Sequence, residues 1–382
     1  MKKVCYFFAL AICFVFAFSG FLSVKSAKVY ANENLKVLAF GDSIAAGYAP
    51  NVSPYSDLDE TDDEVLLQKR QMLDNYVEYY NADYGTFASK SAFSYIFAKN
   101  ANASATVKSY ANSGDTSTDL ANLLTQDNYV KTLAETNKEV TILNQKVLND
   151  IKQANVITLC IGANDVLGLA IQTLNQTIQN NQISKLLTGF DDTELSQYSA
   201  NIQQNVQTFK SNYQNIILPV LCQNSNVYVM TIYNPYRFLG IAENFNGFRQ
   251  LLQITIDGLN QINKTIRDSA NNNVIVIDVA TNFSNYSERQ YTNYVNVDLS
   301  QIDMMSLANM GSGDMPYYFD PHPTPLGQKT IAELYGQSYS QDTTTPISTT
   351  VIIVLSIAFG ALILSVATYL IFEKLKYKAI KF

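Results

Sequence analysis

The chain has 382 residues, with 26 Lys and Arg against 33 Asp and Glu and a formal net charge of −7. That length, at 47% hydrophobic residues, supplies the core of one large α/β domain between two apolar ends, while the acidic balance and the lack of a basic stripe exclude a nucleic-acid footprint. Of the four cysteines, Cys5 and Cys13 lie in the N-terminal apolar run. Cys160 and Cys222 read as small buried hydrophobes and make neither a disulfide framework nor a metal cluster.

In chain order, Lys2 and Lys3 precede an apolar run from Val4 to Leu22, and Val29-Tyr30-Ala31 offers a small-residue cleavage site before Asn32. Residues 1–31 therefore read as a secretory signal peptide; an uncleaved signal anchor is the alternative, and either one exports the body of the protein. That body, residues 32–338, contains five short apolar or β-branched runs bounded by polar or turn residues: Leu35 to Phe40, Ala105 to Tyr110, Val156 to Ile161, Val227 to Tyr233 and Val274 to Val279. Segments of helical periodicity lie between them, at Ser91 to Asn100, Val140 to Gln153, Leu195 to Leu221 and Ile241 to Ala270. This alternation predicts an α/β fold in which a central five-stranded parallel sheet is covered by helices on both faces.

Two stretches read as insertions. Pro50 to Asp83 carries the acidic residues Asp57, Asp59, Glu60, Asp62, Asp63 and Glu64 without the glycine and terminal glutamate of a calcium loop, and reads as a solvated surface segment. Thr281 to Met315 is a polar, aromatic-rich connection. After it, Thr324 can cap and Pro325 can begin a helix that runs through Leu334, which leaves His322 on a loop just ahead of that helix. Residues 339–350 form a linker. Val351 to Phe372 carries no charge and is long enough to cross a hydrocarbon core of roughly 30 Å. Glu373, Lys374, Lys376, Lys378 and Lys381 come next, and this excess of lysine predicts a cytoplasmic tail, residues 373–382, with the body outside. A stalk from Ser338 to Pro346 reaches at most roughly 30 Å, which predicts an active site close to the bilayer surface.

In open parallel sheets, ligands bind beyond the C-terminal ends of the strands. The first three predicted strands lead into Gly41-Asp42-Ser43-Ile44, Ala111-Asn112-Ser113-Gly114 and Gly162-Ala163-Asn164-Asp165, three polar turns at the expected rim. The chain has one histidine, His322, in Phe319-Asp320-Pro321-His322-Pro323. Serine needs a neighbouring base to become nucleophilic, and histidine supplies one near neutrality, so a serine hydrolase built on this chain has His322 as its only candidate. A Gly-X-Ser-X-Gly elbow, a Walker loop, a dinucleotide fingerprint and a His-Glu-X-X-His site are all absent from the sequence, and no cofactor or metal is implied.

Gly41-Asp42-Ser43-Ile44 with Gly47-Tyr48, then Gly114, then Gly162-Ala163-Asn164-Asp165, then His322-Pro323, resembles the four ordered blocks of the SGNH, or GDSL-type, hydrolases, over about Leu35 to Ser338. The resemblance implies a flavodoxin-like three-layer fold and hydrolysis of carboxylic esters. It implies Ser43 as nucleophile and His322 as base, with an oxyanion hole made by the N–H groups of Ser43 and Gly114 and the side-chain amide of Asn164. Gly162, Asp42 and Asp165 are expected to support the site, the two acids by bonding to nearby backbone. The family places an aspartate three residues before the histidine, where this chain has Phe319. Asp320, two before, is the candidate third member, with a main-chain carbonyl as the alternative. Expected partners are an ester substrate, either a lipid or lysophospholipid or an acylated glycan, and the membrane through the C-terminal helix. Aromatic residues of Thr281 to Tyr318 are expected to line an acyl pocket or a lid. A non-catalytic binding module on the same fold is the rival reading from another class.

Overall fold

A computed structural model describes residues 35–48, 84–85, 88–133, 138–180, 182–238, 245–287, 290–291, 294–297 and 319–343. The predicted signal peptide, the acidic insertion, residues 298–318, the apolar run Val351 to Phe372 and the basic tail lie outside the described residues. Among the described residues, no helix is long and apolar enough to cross a membrane.

Five parallel strands form the central sheet: β1 (Lys36–Gly41), β2 (Thr106–Ala111), β5 (Val156–Cys160), β6 (Asn226–Met230) and β7 (Val274–Ile277). Their order is β2-β1-β5-β6-β7. Every residue of β5 and all but the first of β1 are buried, as expected for strands covered on both faces. The chain runs from β1 to β2 on one side and returns past β1 to β5 on the other, so β1 sits at the reversal of strand order, where such sheets bind ligands. The predicted strands Val227 to Tyr233 and Val274 to Val279 end early. Residues 231–233 leave the ladder to form part of the rim, and Asp278 leaves it to cap a helix.

Helices α2 (Phe93–Ala101) and α11 (Pro325–Thr343) lie together on one face of the sheet. On the other are α3 (Ser117–Thr125), α4 (Asn144–Gln153), α5 (Ala163–Gln179), α7 (Asp192–Asn212) and α9 (Asn246–Asp268). The start of α7 is set by a reciprocal cap between Asp191 and Glu194. Helix α9 buries Phe248, Leu251, Leu252, Leu259, Ile262 and Ile266 along one stripe of helical spacing. A short α1 (Ser43–Ala46) follows β1, α6 (Ile183–Thr188) follows α5, α8 (Leu218–Leu221) extends α7 through a π-turn, and α10 (Val279–Ser284) follows β7.

The structure departs from the sequence-based expectations in three places. Residues 139–143, expected to open a helix at Val140, form strand β4 (Glu139–Leu143) instead, antiparallel to β3 (Asn128–Thr132). Tyr129 and Lys131 on β3 face inward, and Ile142 on β4 joins them, so a period of two prevails over the helical one there. His322 lies on a strand rather than a loop: β9 (Phe319–Pro323) pairs antiparallel with β8 (Val295–Val297). Finally, α11 continues past Ser338, the predicted end of the body, because Tyr339 is buried against Phe97 and Tyr228.

The backbone at the end of β6 is clamped by one side chain. Buried Asn263 accepts from Ile232 N–H at 2.7 Å and donates Nδ2 to Ile232 C=O at 2.7 Å. Asn263→Leu removes both hydrogen bonds, leaves the Ile232 N–H and C=O buried without partners, and is expected to lower stability by about 2–5 kcal/mol. Urea unfolding measures this, and an unchanged midpoint would contradict the clamp.

Candidate active site

The nucleophile candidate stands where β1 hands over to α1. Asp42 N–H bonds the carbonyl of Cys160 at 3.0 Å, and Asp42 Oδ1 accepts from Ile44 N–H at 3.0 Å, capping α1. Ser43 is therefore held in the first helical turn, where its own N–H has no partner within the helix. The residue is only 7% exposed.

His322 reaches it from β9. Its Nε2 lies 2.7 Å from Ser43 Oγ, and its Nδ1 lies 2.5 Å from Asp320 Oδ1. The network assigns the tautomer: Nδ1–H donates to the carboxylate, leaving the Nε2 lone pair to accept the Ser43 hydroxyl proton. Asp320, two residues before the histidine, can serve as the third member because the chain folds over itself. The same Oδ1 also accepts His322 N–H at 3.1 Å, across a Pro321 whose fixed φ holds the turn. The second oxygen accepts from Asn296 Nδ2 at 3.0 Å, and Tyr233 OH donates to the Pro321 carbonyl at 2.6 Å. The Tyr48 ring meets the imidazole edge-on with centroids 4.8 Å apart. Of the two alternatives for orienting the ring, the geometry favours Asp320 over a main-chain carbonyl.

Gly41 pairs with Ala111 of β2 on one side and Cys160 of β5 on the other, so the turns carrying Gly114 and Asn164 flank Ser43 on the same rim. Gly114 has φ +81°, and a Cβ there would meet nothing within 4 Å. Packing does not require this glycine; it permits a left-handed turn and leaves the N–H open to close approach. Asn164 Nδ2 donates to the Asp115 carbonyl at 3.0 Å, and the amide retains its second hydrogen. Gly162, at φ +115°, is required for space: a Cβ would come within 2.7 Å of Phe209.

Asp42 and Asp165 each accept a backbone N–H close to the site, from Ile44 and Ser117. Asp165 accepts Ser117 N–H at 2.9 Å and Ser117 Oγ at 2.5 Å, which ties the start of α5 to the start of α3. Burial raises its carboxyl, with the Ser117 hydrogen bonds opposing. Asp42 is fully buried, and burial pushes it from its ordinary 3.8 up to about 6, against the pull of the Ile44 N–H and the nearby His322. Cys160 and Cys222 are free thiols, and burial raises both.

Tyr48, named in the first block, also holds the site, as do Asn296, Tyr233 and Gln328, which sequence reading did not single out. Gln328 is wholly buried; its Oε1 accepts Phe93 N–H at 3.0 Å and its Nε2 donates to Ile44 C=O at 3.1 Å, locking α11 to α1 and α2. Its spacing one helical turn past Thr324 was the only sequence cue. Asn296 carried none, because the β8–β9 pairing joins strands separated by a long connection. In the described part of the aromatic-rich region, Phe283, Tyr286, Tyr291 and Tyr294 pack as a cluster, with Phe283 against Tyr233; the rest of the expected pocket or lid lies outside the described residues.

A parallel α/β sheet with a Ser-His-Asp relay at its switch point defines an ester hydrolase built on serine. Residues 37–335 match the family model of the GDSL-like lipase/acylhydrolases, and the chain belongs to that family. Among solved structures, an extracellular lipase from Streptomyces rimosus is 15% identical, with 81% of this chain and 100% of that one covered and a TM-score of 0.45. Phospholipase A1 from Streptomyces albidoflavus NA297 is 15% identical, covering 81% and 99% at a TM-score of 0.42. A family two carbohydrate esterase from Cellvibrio japonicus is 15% identical, covering 81% and 61% at a TM-score of 0.33. A search of curated protein sequences finds no significant match.

Asp320→Asn, which keeps the shape but reverses the preferred tautomer, is expected to lower kcat by about 10²- to 10⁴-fold on an activated ester with little change in melting temperature. Near-normal turnover would return the orienting role to a main-chain group. The raised carboxyl of Asp42 has a separate consequence. The folded protein holds that proton more tightly than the unfolded chain, so stability falls as pH rises from about 4 to 6 and stays lower above. Asp42→Asn, neutral at every pH, is expected to gain melting temperature relative to the parent as pH rises through this window. A pH-independent difference between the two would refute the assignment.

Proposed function

We propose that the protein hydrolyses carboxylic esters through an acyl-enzyme on Ser43, at the outer face of a bacterial cell, held to the membrane by the predicted span Val351 to Phe372. The observation that carries this reading is the unbroken chain of hydrogen bonds from Ser43 Oγ through His322 to Asp320. Ser43 Oγ attacks the ester carbonyl while His322 Nε2 takes its proton, and Asp320 holds the imidazolium that results. The tetrahedral oxyanion is bound by the N–H groups of Ser43 and Gly114 and by the free amide hydrogen of Asn164. Collapse expels the alcohol, which takes the proton from Nε2. Water then repeats the sequence on the acyl-enzyme, releasing the acid and restoring Ser43.

A membrane lipid or lysolipid and an acylated glycan both suit this chemistry, and one observation favours the glycan. Helix α11 begins beside His322 and runs alongside α2, so that Tyr339 rests against Tyr228 in the middle of β6. Its 19 residues cover about 28 Å. On this reading, a span that follows α11 places the bilayer on the side opposite Ser43, with the catalytic rim facing away from it. It differs from the expectation drawn from stalk length because residues 338–343 belong to α11.

Protein reconstituted in phospholipid vesicles should cleave a short-chain nitrophenyl ester, with activity lost in Ser43→Ala, and should release acetate from an acetylated polysaccharide added outside. Intact activity in Ser43→Ala would sink the mechanism. Faster release of lysolipid from the host vesicle than of acetate from the polysaccharide would sink the glycan version alone.

A further inference from the structure

The β3–β4 hairpin takes no part in the central sheet, yet it sends one charged side chain into the interior. Lys131 is 9% exposed; its Nζ pairs with Asp115 Oδ1 and lies 3.6 Å from Asp119 Oδ1. Lysine is seldom buried, and an apolar pair of similar volume would hold a hairpin at least as well, since drawing two charges out of water opposes their attraction. Stability alone leaves the choice of residues unexplained. The neighbouring site explains it.

Asp115 is the residue after Gly114 and touches both outer members of the oxyanion hole. Its Oδ1 accepts Asn112 Nδ2 at 2.7 Å, and its N–H bonds the Asn112 carbonyl at 3.2 Å, closing the turn that presents Gly114. Its carbonyl receives Asn164 Nδ2 at 3.0 Å. With no side chain, Gly114 cannot be held by its own packing, so the turn is held at its ends: at Asn112, whose N–H bonds Gly41 C=O at 3.0 Å, and at Asp115. A carboxylate in this place carries a penalty, because an uncompensated negative charge beside Gly114 opposes the oxyanion that forms there. Asp119 cannot relieve it, being itself acidic and committed to the cap of α3 through Thr116.

We propose that Lys131 is a positioning residue for ester hydrolysis: it fixes and neutralises Asp115, and thereby aims Gly114 N–H and Asn164 Nδ2 at the developing oxyanion. Burial pushes Asp115 up to about 7, against the pull of Lys131 and of the Asn112 amide. The proposal rests on the oxyanion-binding roles of Gly114 and Asn164.

Steady-state kinetics on a short-chain nitrophenyl ester, with melting curves, should be measured for Lys131→Met, Lys131→Gln, Lys131→Arg and Asn164→Ala in the full chain. Loss of a single oxyanion donor costs about 10²- to 10³-fold in kcat, the expected result for Asn164→Ala. Misaiming two donors without removing either should cost Lys131→Met about 10- to 100-fold in kcat, with KM within about twofold and the fold intact. Lys131→Arg, which keeps the charge, should recover most of that loss. If Lys131→Met does not fold, Lys131→Gln decides, with an expected loss of about tenfold confined to kcat. Wild-type kcat in Lys131→Gln, or a loss confined to KM, overturns the proposal. Wild-type turnover in Asn164→Ala would instead overturn the oxyanion assignment beneath it.

Discussion

The hydrogen bond between Ser43 Oγ and His322 Nε2 joins residues 279 positions apart, and the placement of everything else at the rim follows from keeping it short. Ser43 is delivered by β1, the strand at the reversal of the sheet. His322 is delivered by β9, which is not part of that sheet and is steadied by β8 and by the helix it leads into. Gln328 closes the gap between the two deliveries, since it bonds the turn after Ser43 and the start of α2 from the helix that follows His322. A relay assembled from such distant segments is only as well aligned as the packing between them, which accounts for a fully buried glutamine at that junction.

The floor of the site is acidic and buried. Asp42, Asp115 and Asp165 are all buried, and each is tied to a backbone N–H group, a hydroxyl or an ammonium. Burying a carboxylate opposes its ionisation, and the raised values of all three show that burial outweighs their hydrogen bonds. The arrangement fixes the three turns against one another: Asp42 joins the nucleophile turn to β5, Asp165 joins α5 to α3, and Asp115 joins the Gly114 turn to Asn164. Rigid turns are what oxyanion stabilisation requires, because its donors must already point at a charge that exists chiefly in the transition state.

The five sheet strands and most of the helices could be read from the chain because their patterns are local: β-branched runs buried on both faces, apolar stripes at helical spacing, and caps such as Thr324 ahead of Pro325. The candidate catalytic set was legible for a different reason. Ser43, Gly114 and Asn164 each follow a readable strand, and the chain has no histidine other than His322. The β3–β4 hairpin escaped notice because Glu139 to Leu143 runs directly into a helix and its partner strand is short and carries a lysine. Strand β9 escaped because Pro321 and Pro323 disfavour a strand, and its pairing partner lies beyond a long connection.

The sequence by itself determined the chemistry available, a serine, one imidazole and two amide-bearing turns at strand ends, because residue identity and local periodicity need no knowledge of distant contacts. Tertiary structure alone decided that Asp320 and not a main-chain carbonyl lies against the imidazole, that a buried lysine answers Asp115, and that α11 packs beside α2. Each of these depends on which distant segments pack together, and a linear pattern does not carry that information.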